Sequence, residues 1–213
     1  MSQLGQIASD PPRLPRGRHG LPPSEVRSVH EDRLLHAMIA VVGAKGYSDT
    51  TITDVLTAAK VSRSAFYNCF NSKLECFLAA ARMGAIEMHH AVRRAVRAVP
   101  TGAPAEEQLR AGIREFFGFL AREPACARVL FVELAAGGPS AARRYDTAVS
   151  YLADDTQTWH HAVGGQAERV VYDMLAGALA HIAAARVRSG NTRSLPDLED
   201  EAFQMHVAVL GMT

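Results

Sequence analysis

The sequence lacks the features of a secreted or membrane-inserted protein. Its three cysteines, Cys69, Cys76 and Cys126, form no C-x-x-C motif and cannot all pair with one another, which argues against a disulfide scaffold and fits a reducing compartment. No apolar run approaches the roughly 20 residues that cross a bilayer, and residues 1–21 lack the apolar stretch of a secretory signal. These absences predict a cytoplasmic protein.

The sequence also lacks a diagnostic catalytic arrangement. Several carboxylates are available as acids or bases, but none is spaced from a nucleophile or from a second base in a recognisable way. These carboxylates are Glu115, Glu123, Glu133, Asp146 and Asp173. We therefore expect a protein that is not an enzyme and that requires no cofactor.

Two pairs of adjacent histidines, at 89–90 and 160–161, raise the question of a metal site. Neighbouring side chains on a helix point about 100° apart, so neither pair is suited to chelate one ion. Ligands for one ion on a helix are better spaced four residues apart. We expect no metal site, and we interpret Cys76 and Cys126 as small buried hydrophobic residues rather than as a redox switch.

The charge is nearly balanced overall but is unevenly distributed. The 213 residues carry a formal net charge of +1. Residues 1–73 hold nine Lys and Arg against six Asp and Glu, a net +3, whereas residues 74–213 hold fourteen against sixteen, a net −2. The basic excess in the N-terminal third weakly favours a polyanionic partner there.

Residues 1–24 are rich in proline, glycine and arginine and show no periodicity, so we interpret them as a flexible basic arm. Its basic side chains are similar to the N-terminal extensions that enter a minor groove. The alternatives are a solvated tail and a tail packed on its own domain. These side chains are Arg13, Arg16, Arg18 and His19.

The rest of the chain shows helical periodicity, and no segment shows the alternation of a strand. The predicted helices cover about residues 25–45, 51–59, 63–70, 72–99, 105–122, 125–136, 139–163, 166–189 and 197–211. Ser24 is expected to cap the first helix, Gly46 to end it, and Ser72 with Glu75 to form a capping box on the fourth. The sequence thus predicts an all-α fold of about nine helices, with a three-helix DNA-binding domain at 25–77 and a larger domain at 78–213.

Residues 51–70 contain two short helices joined by a tight turn, the arrangement of a helix-turn-helix that reads DNA. The second helix has an apolar side, on which Phe66 and Phe70 lie four residues apart. Its other side presents Arg63 and Tyr67, whose donors suit phosphates and base edges. We expect this polar side to enter the major groove while the phenylalanines hold the helix to its domain.

An ordered set of residues at about 33–77 resembles the tetracycline-repressor (TetR) family. The resemblance rests on Lys45-Gly46-Tyr47 and on the stretches at 50–55, 59–67 and 70–73. A valine, a serine and a Phe-Tyr pair alone would be a weak signal, whereas the whole set at these spacings is specific. The resemblance implies a one-component transcriptional regulator with an N-terminal DNA-binding head.

The resemblance implies roles for particular residues of this head. It implies that Thr51, Thr53 and Ser62 anchor phosphates through their hydroxyls and through helix N-terminal amides. Arg63 and Ser64 are implied to read base edges.

Three further residues complete the DNA-binding set that the family implies. Tyr67, with Asn68 beside it, is expected to contact a phosphate or a base, and Lys73 is expected to contact another phosphate. One departure concerns the turn, where Lys60 stands at a position that is usually glycine in the family. The departures leave the predicted fold unchanged but make the operator sequence unpredictable.

The resemblance also implies an effector pocket in the C-terminal domain and a homodimer interface on the last two helices. Aromatic residues of this domain are first of all core, but a hollow core with aromatic walls suits a largely apolar ligand. The candidate wall residues are Phe116, Phe131, Tyr145 and Trp159, and the candidate polar contacts are His160 and His181. The last two helices are too apolar to face water in a monomer, and a twofold dimer matches a palindromic operator.

These features predict a DNA-binding transcriptional regulator, a repressor that a small, largely apolar effector releases from a palindromic operator. Ligand binding is expected to change the tilt of the long helix at 72–99 and thereby the separation of the two heads. One alternative is a DNA-binding regulator without a small ligand, which a filled or absent cavity would favour. Another is a helical enzyme or protein-interaction module that does not bind DNA. Repression rather than activation is implied by the family alone.

Overall fold

A computed structural model describes residues 22–211, and these residues form helices and connecting turns without a β-strand. Residues 1–21 of the basic arm predicted at 1–24 lie outside the described residues. The predicted minor-groove side chains Arg13, Arg16, Arg18 and His19 lie there too.

The described part of the chain contains nine helices when one interrupted helix is counted once. The first five are α1 (Pro23–Lys45), α2 (Ile52–Ala59), α3 (Arg63–Cys69), α4 (Lys73–Ala98) and α5 (Ala105–Arg122). The sixth, α6, runs through Pro124–Arg128, a π-helical turn at Val129–Glu133, and Leu134–Ala136. The last three are α7 (Pro139–Ala162), α8 (Arg169–Arg188) and α9 (Glu199–Leu210), with a 3-10 turn at Thr192–Leu198 before α9. The all-α prediction and its helix count are confirmed.

The helix ends show where local sequence signals worked and where they failed. Gly46 ends α1 as expected, with a φ of 86° and an amide that donates to the Val42 carbonyl at 2.8 Å. The predicted cap at Ser24 is wrong, because α1 already begins at Pro23 with Pro22 as its N-cap. Proline is accepted there because the first helical position needs no amide hydrogen bond.

The capping box predicted at the start of α4 is only half formed. The Ser72 hydroxyl accepts from the Glu75 amide at 3.1 Å, as expected. The Glu75 carboxylate, however, accepts from the Asn71 amide at 2.8 Å and from the Asn71 side chain at 3.0 Å. Glu75 therefore stabilises the turn before α4 and does not close the box on Ser72.

Helices α1, α2 and α3 and the first turns of α4 enclose one apolar core, which we call the head. Phe66 from α3 and Phe77 from α4 are fully buried there, with Met38 of α1 and Val55 of α2. Burying one such side chain contributes about 1.5–3 kcal/mol, so α3 is held mainly by its phenylalanine side. This packing leaves the opposite side of α3 exposed to solvent.

Helix α6 joins the head to the C-terminal domain by close approach at two glycines. A Cβ placed on Gly43 of α1 would lie 2.5 Å from the Cβ of Ala125, and one placed on Gly84 of α4 would lie 2.6 Å from the Cys126 sulfur. Real Cβ atoms do not approach their neighbours so closely, so a side chain at either position would force a neighbour to move. The C-terminal domain therefore contacts the head through α1 as well as through the continuous helix α4.

Helix α8 is the most apolar of the long helices that the structure describes. Among the described residues, it is the helix whose length and composition would allow it to cross a membrane, with a mean hydropathy of 1.4 over its most apolar window. Core helices of soluble proteins meet the same test, and Leu175, Leu179 and Ala183 of α8 are buried inside the domain. Val170, Met174 and Ile182 on its other side are exposed.

The three cysteines are unpaired in the structure. Burial raises the pKa of the Cys76 thiol to about 12 and raises that of Cys126 further, with smaller contributions from nearby carboxylates. Both thiols are therefore protonated at neutral pH, and a protonated thiol is a poor nucleophile. This agrees with their interpretation as buried hydrophobic residues.

Candidate nucleic-acid interface and effector cavity

The turn between α2 and α3 is fixed by caps on both helices. The Thr51 hydroxyl accepts from the Asp54 amide at 3.2 Å, and the Asp54 carboxylate accepts from the Thr51 amide at 2.7 Å, so that α2 begins with a complete capping box. Ser62 caps α3 by accepting from the Ala65 amide at 3.2 Å. These local bonds set the angle at which α3 leaves α2.

Lys60 closes α2 in a left-handed conformation, with φ 54° and ψ 45°. It is the one residue other than glycine with a positive φ in the part of the chain that the structure describes. Side chains with a Cβ are strained in this region, which explains why glycine suits this turn. The Arg33 guanidinium donates to the Lys60 carbonyl at 3.3 Å and ties the turn to α1.

Helix α3 separates its two sides as the sequence predicts. Phe66 and Phe70 are buried, with exposed fractions of 0% and 4%, whereas Tyr67 is 48% exposed. The other predicted DNA-binding residues of this helix are also exposed. They are Ser62, Arg63, Ser64 and Asn68. We call this exposed side the reading face.

Two side-chain contacts organise the reading face. The Arg63 guanidinium donates to the Thr53 hydroxyl at 3.3 Å, which links a predicted base reader on α3 to a predicted phosphate anchor on α2. The Ser62 and Ser64 hydroxyls lie 3.0 Å apart. Both contacts are long or neutral and exposed, so the side chains can exchange them for contacts with DNA at little cost.

Lys73 has a structural role that the sequence did not indicate. Its ammonium group donates to the carbonyls of Tyr47 at 2.9 Å and Thr50 at 2.8 Å, and lies 4.1 Å from the centre of the Tyr47 ring. These contacts fasten the first turn of α4 to the loop between α1 and α2. One of the three ammonium protons is left for the predicted phosphate contact.

A charged residue of the C-terminal domain supports the same loop from the other side. The Glu133 carboxylate in the π-helical turn of α6 accepts from the Tyr47 amide at 2.9 Å and from the Arg128 guanidinium at 3.0 Å. The Arg128 guanidinium also donates to the Gly43 carbonyl at 3.4 Å. π-Helical turns are frequent at functional sites, and this one places Glu133 between the head and the C-terminal domain.

The C-terminal domain contains a cavity of about 70 Å³ among five helices. Its wall is mostly apolar and is contributed by α4, α5, α7, α8 and α9. The apolar residues include Val92, Ile113, Phe116, Leu152 and Leu179. We call this space the effector cavity.

The structure brings only part of the predicted effector set to this cavity. Phe116 and Trp159 line it. Phe131 is not in the wall but packs edge-on against Phe116, with ring centres 5.9 Å apart. Phe131 therefore supports the wall from behind.

The other three predicted effector residues lie away from the cavity wall. The His160 ring lies 2.9 Å from the Tyr172 hydroxyl in a buried contact, and burial lowers the pKa of His160, with a further contribution from His161. Tyr145 is half-buried, and His181 is exposed on α8. Helical periodicity predicted the helices on which these residues lie. It did not predict which side of each helix faces the cavity.

Two polar residues of the cavity were missed by the sequence analysis. His206 of α9 and Asp155 of α7 both line it. The Asp155 carboxylate pairs with the His89 imidazole at 2.8 Å and so joins α7 to α4. Burial raises the pKa of Asp155, and the charge of His89 opposes that shift. No local motif marks either residue, because the cavity is formed by helices that are far apart in the sequence.

The geometry of the head agrees with the comparison to known families. Residues 34–80 match the family model described as bacterial regulatory proteins, tetR family. These residues form a DNA-binding domain of the TetR family. The match covers α2 and α3 completely, together with most of α1 and the start of α4.

Individual relatives agree with this assignment. The HTH-type transcriptional activator FasR of Mycolicibacterium smegmatis is 30% identical over 105 residues, which are 49% of this chain and 47% of FasR. The chain thus matches about half the length of this curated relative.

Two solved structures of regulators named FadR share the fold over most of this chain. The fatty acid degradation regulator FadR from Bacillus halodurans superimposes with a TM-score of 0.74 at 17% identity, over 91% of this chain and 98% of FadR. FadR from Bacillus subtilis, in complex with stearoyl-CoA, gives a TM-score of 0.70 at 17% identity, over 83% of this chain and 97% of that one. At these identities the likeness concerns the fold.

Proposed function

We propose that this TetR-family protein is a cytoplasmic transcriptional repressor that binds a palindromic operator as a homodimer and leaves it when a small, largely apolar effector binds. The observation that carries the proposal is the reading face of α3. Its polar side chains are exposed on a short helix that two buried phenylalanines hold rigidly to the head. A helix of this kind fits the major groove, where side-chain donors contact base edges.

The DNA-binding part is tested by removing two side chains from the reading face. We expect the double variant Arg63→Ala and Tyr67→Ala to fold normally, because both side chains are exposed. It should bind a duplex selected from random DNA by the parent protein about 30-fold more weakly or worse, since each contact contributes about 1–3 kcal/mol.

A matched control removes the same residue types elsewhere. Arg94 and Tyr151 are exposed in the C-terminal domain, and their replacement by alanine should leave the affinity for the duplex within about twofold of the parent. Equal affinities of the two double variants would remove the basis of the proposal.

The homodimer is supported by apolar side chains that face solvent on the last two helices. Met174 is 68% exposed and Val170 is 55% exposed on α8, and Val209 is 51% exposed on α9. Pairing these helices with a second copy would cover them and would place two reading faces about one DNA turn apart. Met174→Glu should convert the dimer to a monomer in sedimentation velocity. A dimer that survives this charge would exclude the interface.

The effector part is supported by the cavity between α4, α5 and α7. Sites for small molecules are typically about 300–1,000 Å³, so the cavity of about 70 Å³ must widen to hold such a ligand. Widening moves α7 or α5 away from α4, the helix that continues into the head. The neighbour FadR from Bacillus subtilis binds stearoyl-CoA, which has a long apolar chain, and this supports an apolar effector.

The direction of regulation is proposed as repression. The relative FasR is named a transcriptional activator, so the two directions need a direct comparison. Expression of a reporter behind the selected operator should fall when the protein is present and rise again with the effector. A rise of expression with the protein alone would assign activation instead.

A further inference from the structure

The effector cavity contains two polar atoms that lie in apolar surroundings without a protein partner. Trp159 is only 9% exposed, and its indole Nε1–H is buried with no hydrogen-bond acceptor among the described residues. Buried polar groups are nearly always hydrogen-bonded, and an exception calls for an explanation. The wall position of Trp159 makes the cavity the place from which an acceptor would come.

The second atom belongs to His206, which is 1% exposed. Its Nδ1 lies 2.7 Å from the Ala202 carbonyl, and because a carbonyl only accepts, Nδ1 must carry the proton. Burial lowers the pKa of His206, against a smaller upward effect of the bond to Ala202, so the ring is neutral at neutral pH. The remaining nitrogen, Nε2, is therefore a hydrogen-bond acceptor, and no described residue donates to it.

The other polar residues of the cavity are already satisfied or partly hydrated. The Asp155 carboxylate pairs with His89 at 2.8 Å, and the Thr156 hydroxyl donates to the Leu152 carbonyl at 3.0 Å. Gln108 is only partly buried and remains accessible to water. Among its fully buried groups without a partner, the cavity thus offers a ligand one donor at Trp159 and one acceptor at His206.

We infer that the effector of this cavity is an uncharged, largely apolar molecule that carries a hydroxyl group. A hydroxyl can accept from the Trp159 indole and donate to His206. A carboxylate only accepts, so it would leave His206 Nε2 facing a second acceptor and would bring a negative charge near Asp155. An ether also only accepts. The inference rests on the proposed function of the cavity as the effector site, and it adds the chemical class of the ligand.

The test uses Trp159 as its own probe, because the sequence contains one tryptophan. Its fluorescence is titrated with three molecules of similar size: cyclohexanol, methoxycyclohexane and cyclohexanecarboxylate. We expect cyclohexanol to bind roughly tenfold more tightly than the ether, the effect of one hydrogen bond to an otherwise unpaired buried group. The carboxylate should bind more weakly than either.

Two variants assign the preference to His206. In His206→Leu the acceptor is lost, and the ratio of ether to alcohol dissociation constants should fall to about one. His181→Leu removes an exposed histidine outside the cavity and should keep the ratio of the parent. If His206→Leu does not fold, the ratio in the parent protein still decides, with ligand-induced thermal stabilisation as a second readout.

Three results would overturn the inference: an ether that binds as tightly as the alcohol, a carboxylate that binds most tightly, or fluorescence that none of the molecules changes. The titrations contain no DNA, so they are separate from the proposed regulatory function. A cavity that prefers the alcohol while operator affinity stays constant would keep the ligand class and remove the effector role. If only the carboxylate releases the protein from the operator, the effector role is kept and the proposed ligand class is wrong.

Discussion

The reading face and the effector cavity differ in how far their polar groups are exposed to water. On the reading face, Arg63 and Tyr67 are exposed to water and are available to any partner that approaches. In the cavity, Trp159 Nε1 is buried without a partner, and His206 is 1% exposed while its Nε2 accepts from no described residue. On the reading face, water satisfies the hydrogen bonds of the polar groups when no partner is bound. In the cavity, the polar groups lack hydrogen-bond partners until a ligand supplies them. A ligand that does so can shift the conformational equilibrium of the protein.

The largest effect that separates the two regions is expected at the core of the head. Phe66→Ala should lower the free energy of unfolding by about 3–5 kcal/mol, because it empties a fully buried position between α1 and α3. Tyr67→Ala, at the next and exposed position, should change it by less than about 1 kcal/mol. Urea denaturation measures both. Similar losses in the two variants would mean that α3 is not anchored by its phenylalanine side.

A smaller effect is expected where the two regions meet. Glu133→Ala removes the acceptor of the Tyr47 amide and of the Arg128 guanidinium, and should lower the free energy of unfolding by about 1–3 kcal/mol. The control Glu115→Ala removes an ion pair with Arg122 nearer the surface and should cost under about 1 kcal/mol. If Glu133→Ala costs no more than the control, the contact does not join the domains.

The pH dependence of stability should distinguish the cavity from the head. Burial lowers the pKa of His206 below its ordinary value of 6.5, so the unfolded chain binds a proton at higher pH than the folded one does. His206 therefore contributes stability above pH 6.5 that is lost as the pH falls toward its folded pKa.

The variant His206→Gln isolates this contribution, because glutamine does not titrate. Unfolding titrations in urea between pH 8 and pH 5 should show a smaller loss of stability on acidification than in the parent. An identical pH dependence of the parent and the variant would show that His206 is not held neutral by burial.

The smallest effect concerns the turn of the head. Lys60→Gly should raise the free energy of unfolding by about 0.5–1 kcal/mol, because glycine adopts φ 54° without the strain that a Cβ causes. Ala58→Gly, in the exposed last turn of α2, is the matched control and should be destabilising by a similar amount. A destabilised Lys60→Gly protein would show that the lysine side chain itself stabilises the turn.

The same contrast explains how much the sequence predicted. Most helix bounds, the two sides of α3 and the cap at Ser62 depend on residues within a few positions of one another, and these were predictable. The role of Glu133 was not, because its contact with Tyr47 spans 86 positions. The place of His206 in the cavity was not, because that cavity is formed by helices far apart in the sequence. The start of α1, expected after Ser24, was a local error, because the first helical position accepts a proline such as Pro23.

The effector residues show the limit of periodicity most clearly. Phe116 and Trp159 line the cavity, whereas His160 contacts Tyr172 and His181 is exposed to solvent. A pattern of apolar residues shows which side of a helix is buried. It does not show which buried residues border a space among five helices, because that depends on the positions of all five.

The central claim is that the cavity and the reading face are coupled through α4. The most direct test titrates the dimer with its selected operator duplex, with and without cyclohexanol at a concentration that saturates the fluorescence change of Trp159. We predict that the ligand weakens operator binding by about fivefold or more, the usual range of coupling between two sites. An operator affinity that is unchanged at saturation would contradict the account.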